Sequence, residues 1–341
     1  MTVIFFLLLL MIVIGSKFYG KNFNEDYLSK NNTLILNGFF ICIVFMSHFL
    51  SYNVKTTFFD NGFILFMSKF NQLMVVTFLF FSGYGIYESI KNKKNYMKNF
   101  LKNRFWITFV NFNIALLLFL FVNFIIGTKV GIINYLLSTF GWKSIGNSNW
   151  YMFDTFILYF IVFISYFLCK NNNKFTLFVT IFTIIFACFL YMFKDGSFWY
   201  DTIMCFPAGM YYSKYKNCFD KFIQKNNLIY LFCIFIISLF FFIMYYIKYT
   251  FGFGLITHNI LSITFVIFIA MVLMKFELNN KLLKFFGEKL FWIYILQRLP
   301  MIIFYDKMNY IIYFIICIVI TLLLTEIMIS ISKKVNKMLK I

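Results

Sequence analysis

Residues 31–51 read NNTLILNGFFICIVFMSHFLS. As a helix rising about 1.5 Å per residue, this stretch is long enough to enter a hydrocarbon layer about 30 Å thick. It carries His48, one of only two histidines in the chain. Further apolar stretches of similar length lie on its C-terminal side, near 71–89, 105–127, 150–169, 175–193, 199–213, 228–247, 255–274, 286–304 and 310–332. A shorter apolar run, TVIFFLLLLMIVIG, precedes it at 2–15.

Composition agrees with that pattern. Of 341 residues, 62% are hydrophobic, Phe alone supplies 54 and Pro only 2. Soluble domains are nearer half apolar. Backbone polar groups in lipid must be satisfied within the structure, so only helices and closed barrels span it. The long uninterrupted runs lack the alternation of barrel strands. The expected fold class is therefore all-α: a polytopic transmembrane helical bundle of about eleven helices. The run at 2–15 is read as a first transmembrane helix. No basic residue precedes it and no small-residue cleavage site follows, as a signal peptide would require. Pro207 and Gly209 predict a tilted or broken span at 199–213.

The net charge of +19 is distributed as a topology signal, not as a nucleic-acid surface. Place KNKKNYMKNFLKNR, residues 91–104, in the cytoplasm. The segments on that side (17–33, 91–104, 170–174, 214–225, 275–289 and the tail after Ser332) then hold 23 Lys and Arg, against 7 on the other side. The N-terminus falls outside and the C-terminus inside. The seven cysteines are scattered, with no CxxC, and read as apolar filling, not as a disulfide framework or metal site.

Polar residues inside spans are the candidates for chemistry, because lipid makes them costly. Counted from Leu34, His48 stands about 21 Å along its helix, in the outer half of the bilayer. An imidazole buried among apolar groups stays neutral and can take a proton from a hydroxyl. Gln72, Asp154, Asp201, Gln297 and Arg298 fall at similar depth and complete a polar layer. Arg298 either pairs with Asp154 or Asp201, or acts with Gln297 on a developing oxyanion or a polar acceptor. His258 is read as interfacial. Glu88 and Glu326 are read as headgroup-level carboxylates paired with Lys91 and Lys333. Lys98, Lys102 and Arg104 form either a contact with anionic lipid or a docking surface for a polyphosphate such as coenzyme A. No Walker loop, dinucleotide fingerprint, HExxH or GxSxG is present.

With these residues in hand, the chain resembles the membrane acyltransferase-3 family over roughly residues 30–330. LNGFFICIVFMSHF (36–49) is similar to its first core helix, which ends in the key histidine. FLFFSGYGIY (78–87), FLKNRFWI (100–107), NWYMFDTFILYF (149–160), FPAGMYYSKY (206–215) and GEKLFWIYILQRLP (287–300) resemble later elements in the same order. The sequence departs from the family pattern at Asn37, where Arg or Lys is frequent. It departs also at Ile107, where a second Arg is frequent, and at Gln297, where His is frequent.

The resemblance implies a ten-helix core, here at 29–332. Residues 1–28 are then an extra N-terminal helix with a short cytoplasmic linker, and 333–341 a basic cytoplasmic tail. It implies a multi-pass protein of the cell membrane that takes an acyl group from cytoplasmic acyl-CoA, most simply acetyl-CoA, without a metal. The acceptor would be a hydroxyl of an extracytoplasmic glycan of the cell envelope. His48 would be the base, with Arg298 or Gln297 at the oxyanion. Lys98, Lys102 and Arg104 would dock the donor, and Trp150, Tyr151, Asp154 and Gln72 would receive the acceptor. A transporter or flippase of a lipid-linked or glycan substrate could use the same polar layer. The departures also admit a catalytically inactive relative.

Overall fold

The structure, a computed structural model, describes residues 1–52, 57–169, 172–252 and 254–339. Lys55, Lys170 and Lys340, counted in the charge bias, lie outside the described residues, as do the last two residues of the expected tail.

The described helices are α1 (Thr2–Val13), α2 (Lys30–Ser51), α3 (Asn61–Phe70), α4 (Val76–Asn92), α5 (Ile107–Ile125), α6 (Ile132–Thr139), α7 (Trp150–Leu168), α8 (Asn172–Phe193), α9 (Cys205–Ile223), α10 (Asn227–Phe251), α11 (Gly254–Leu273), α12 (Lys281–Glu288), α13 (Leu290–Leu296), α14 (Arg298–Ile303) and α15 (Tyr310–Met338). The only described strands, β1 (Lys17–Phe18) and β2 (Phe276–Glu277), pair antiparallel across two residues. Among the described residues, eight helical stretches are long and apolar enough to cross a membrane. They include α2, α4, α5, α7, α8, α10, α11 and α15. The shorter apolar α1 and α13–α14, together with α9, account for the other three expected spans. The protein is an all-α polytopic bundle.

Two expected spans differ in detail, and proline explains both. Pro207 sits in the first turn of α9, where a missing N–H is tolerated. The helix therefore starts at Cys205 and runs on to Ile223, while Ser197–Trp199 form a 3-10 turn ahead of it. Pro300 can neither donate to Leu296 nor avoid crowding its carbonyl. The expected span 286–304 is accordingly broken at Gln297, between α13 and α14. The short amphipathic helices α3 and α6 lie in segments read as plain loops, and α15 carries helix well into the expected tail.

Two pairs of helices run side by side in the same direction, each locked by glycine. Gly38 on α2 meets Leu283 of α12, and Gly287 meets Leu34; a β-carbon on either glycine would overlap the facing carbonyl oxygen. Farther along this pair, His48 faces Tyr294 of α13 and Tyr52 faces Arg298. In the second pair, Gly83 on α4 meets Phe206 of α9, and Gly209 meets Phe80, again with no room for a β-carbon. Small residues of this kind let membrane helices approach closely where there is no hydrophobic gain between them.

The segments expected on one side of the membrane do meet on one face of the bundle. Tyr19 N donates to Lys275 O at 2.9 Å, and Asn24 N to Met274 O at 2.8 Å. Tyr27 Oη donates to Asp220 at 2.7 Å, and Lys91 Nζ to Ser213 O at 3.1 Å. Glu88 pairs with Lys91, as expected, while Glu326 pairs with Lys289 and not with Lys333. The α15 helix carries Glu326 alongside the start of α13, where Lys289 is nearer than a residue two turns on.

Candidate functional site

The site lies at the end of α2 opposite that face. A small cavity of about 60 Å3 is bordered there by Ser47 and His48 of α2, Met67 of α3, Gln72, Trp150 of α7 and Tyr294 of α13. About 15 Å3 of such space holds one water, so a hydroxyl-sized group and a few waters fit. Ring centroids of His48 and Tyr294 are 6.3 Å apart. Tyr151, the second residue of α7, sets its ring edge-on to Tyr294 at 5.4 Å.

Buried polar atoms in proteins nearly always find a partner. Here many do not. His48 Nδ1, Gln72 Oε1, Asn147 Nδ2, Ser148 Oγ, both carboxylate oxygens of Asp154, Tyr294 Oη and Gln297 Oε1 are all buried without a hydrogen bond. Asp154 is fully buried one turn into α7, within electrostatic reach of Tyr151, Tyr294 and Lys194. Leaving such atoms unpaired costs about 1–3 kcal/mol each, so a group that satisfies them is favoured.

Arg298 makes no ion pair among the described residues, so of its two readings the pairing with Asp154 or Asp201 is absent there. Its Nε donates to Tyr52 Oη at 3.0 Å, its Nη1 lies 3.5 Å from Asn147 O, and its guanidinium sits over the Tyr52 ring at 5.3 Å. The parallel pairing of α2 with α13–α14 delivers Tyr52 to Arg298, and neutral partners replace the carboxylate. Arg298 remains within electrostatic range of His48 and Tyr294. Gln297 is fully buried and spends its Nε2 on Tyr294 O at 3.1 Å, leaving its oxygen free.

Lys194, just beyond α8, caps the end of this region away from the basic loops. Its ammonium lies 3.5 Å from the Trp142 ring centroid and 3.9 Å from that of Trp199, and donates to Trp142 O at 2.7 Å. Burial pushes it down to about 8, against the pull of Asp154.

His258, read as interfacial, packs inside the protein near the start of α11. It is buried, with Nδ1 3.1 Å from Asp201 O and 3.4 Å from Ser262 Oγ. The turn before α9 folds over α11, held by Asn259, which bonds Tyr200 O at 2.8 Å and Met204 N at 3.1 Å. Asp201 therefore packs with His258, and no described contact joins it to Tyr294. The opposite face holds Lys98 and Lys102, both exposed, and Arg104 in a π-helical turn (Leu101–Trp106) with its Nε on Tyr96 Oη at 3.0 Å. Among the described residues no cluster of His, Cys, Asp or Glu is arranged to hold a metal ion.

A family model described as an acyltransferase domain, Acyl_transf_3, matches residues 35–329. The chain belongs to the acyltransferase-3 family. No curated protein and no solved structure matches it significantly. The match takes in His48, Arg104, Asp154, Tyr294 and Arg298, and leaves α1 outside. Within this acyltransferase-family membrane protein, sequence reasoning missed Tyr52, Asn147, Ser148 and Tyr294. Two had a readable signal: Tyr52 follows His48 by four residues and Tyr294 precedes Arg298 by four, so each shares a helical face with a residue already singled out.

Proposed function

We propose that this acyltransferase-family protein is an O-acyltransferase, in the simplest case an O-acetyltransferase. It moves an acyl group from a cytoplasmic acyl-CoA thioester to a hydroxyl of an extracytoplasmic envelope glycan. The observation that carries the reading is that His48, Gln72 and Tyr294 border one cavity with buried polar atoms unpartnered, with Asp154 and Ser148 near Tyr294 in the same condition. A purely structural polar core would satisfy its own members.

Lys98, Lys102 and Arg104 dock the phosphates of the donor on the face that the basic loops assign to the cytoplasm. The acyl end reaches the His48 cavity between the helices. An acceptor hydroxyl enters from the other side against Trp150, Tyr151, Asp154 and Gln72. Asp154 and the glutamine oxygens accept hydrogen bonds, which suits a ligand rich in hydroxyl donors. His48 takes the hydroxyl proton as the oxygen attacks the thioester carbonyl. The carbonyl oxygen carries negative charge until the C–S bond breaks, and Arg298 lies near enough to oppose that charge. The thiolate leaves with the proton from His48, so one ester and one thiol form per thioester consumed.

The test is stoichiometric. Purified protein given acetyl-CoA and a hydroxylated glycan should release free thiol and form alkali-labile ester in equal amounts. Passage of a glycan across sealed vesicles with no thioester consumed would mark a transporter and reject the proposal.

A further inference from the structure

We infer that Tyr294 is a catalytic hydrogen-bond donor, its hydroxyl meeting the oxyanion that forms on the transferring acyl carbonyl. The inference rests on the O-acyltransferase reading above and assigns that reading's missing donor.

Comparison with the protein's other buried tyrosines carries it. Tyr27 and Tyr212 bond each other at 2.9 Å, Tyr230 donates to Met271 O at 3.1 Å, and Tyr313 to Met301 O at 2.7 Å. These four are 0–6% exposed, and Tyr294 is 4% exposed. Tyr294 is the one described tyrosine whose buried hydroxyl makes no well-formed hydrogen bond; the Ser148 hydroxyl, itself without one, lies beside it. The chain uses Phe at 54 positions, and Phe would fill this place without the cost of an unpaired hydroxyl. Tyr294 borders the same cavity as His48.

The alternatives for the oxyanion are partly engaged. Gln297 has given one amide N–H to Tyr294 O, and its unpaired atom is an oxygen, which cannot donate. Arg298 is held by Tyr52 and the Asn147 carbonyl and supplies charge at longer range. Tyr294 is fixed by Tyr151 at its ring edge and by α13 packed along α2. A preorganised donor of this kind costs no rearrangement when charge develops. In the step, the acceptor oxygen bonds the carbonyl carbon and its proton passes to His48. The carbonyl π pair moves onto oxygen, which accepts the hydrogen bond from Tyr294. The pair returns, the C–S bond breaks, and the thiolate takes the proton from His48. Tyr294 keeps its own proton throughout.

Tyr294→Phe removes only the hydroxyl. We expect kcat to fall about 100- to 1,000-fold, with KM for acyl-CoA and acceptor within a few-fold and the unfolding temperature unchanged or higher. A series of fluorotyrosines at 294 should change kcat in step with phenol acidity, which a packing role would not do. Wild-type kcat in Tyr294→Phe overturns the inference and leaves the acyltransferase reading intact. Rates that ignore phenol acidity, or that fall only with the amount of folded protein, overturn it as well. If the wild type transfers no acyl group from thioester to hydroxyl, the reading fails and the inference falls with it.

Discussion

The α4–α9 pair and the pair of α2 with α12, continued by α13, are assembled in the same way and end differently. Each brings two helices into backbone contact through facing glycines, Gly83 with Gly209 and Gly38 with Gly287. Beyond its glycines, α4–α9 closes its polar groups on one another. Glu88 accepts from Ser213 Oγ at 2.8 Å and pairs with Lys91 at 2.6 Å, while Lys91 reaches Ser213 O. Beyond the glycines of α2–α12, His48 and Tyr294 are left with unpaired atoms beside a cavity, and Gln297 next along the chain keeps an unpaired oxygen. The first arrangement is a finished structural joint. The second holds its groups rigidly without satisfying them, which is the preparation a reacting ligand requires.

The largest effect that would sharpen this contrast comes from the joint. Gly209→Leu forces a side chain into the Phe80 carbonyl, so it should cost at least the 1–3 kcal/mol typical of overpacking, and about 3 or more here. Monodisperse folded protein in detergent should fall severely. Normal yield with an unchanged unfolding temperature would show that the two helices do not need this contact.

Asp154→Asn should separate stability from activity. It removes a buried carboxylate that has no donor, so the unfolding temperature should hold or rise. Transfer should fall about 10- to 100-fold, the worth of one hydrogen bond to a charged group. A fall in stability with unchanged transfer would make Asp154 a structural residue and move α7 to the finished side of the comparison.

Gly85→Ala is the control for the glycine lock. It lies on α4 with open space where its β-carbon would go. Helix propensity alone predicts a gain of about 0.5–1 kcal/mol, read as a small rise in unfolding temperature. The smallest effect is expected at Glu88→Gln. Its half-exposed pair with Lys91 is worth at most about 1 kcal/mol, and transfer should not change. A large loss of transfer there would mean that the satisfied network is part of the working site.

The long apolar helices were readable because lipid leaves the backbone few options, and hydropathy reports that directly. The family resemblance read over 30–330 agrees with the matched residues 35–329. What escaped was set by contacts between distant segments. His258 reads as interfacial until the turn at 200–204 is seen to fold over it. Arg298 in a span calls for a carboxylate until α13–α14 is laid along α2 and Tyr52 arrives beside it. Pro300 was visible, but its consequence at Leu296, a break that sets Gln297 between two helices, was not drawn from it. Tyr294 was hidden among 23 tyrosines, since an unpaired hydroxyl cannot be told from a paired one without coordinates.

The most direct measurement is transfer of labelled acetyl groups from acetyl-CoA in membranes containing the wild type or His48→Ala at equal folded protein. General bases contribute about 100- to 10,000-fold. Alkali-labile label in an envelope glycan with the wild type, and none above background with His48→Ala, is the predicted result. Equal label with both proteins would contradict the assignment of His48 as the base on which the account of the site depends.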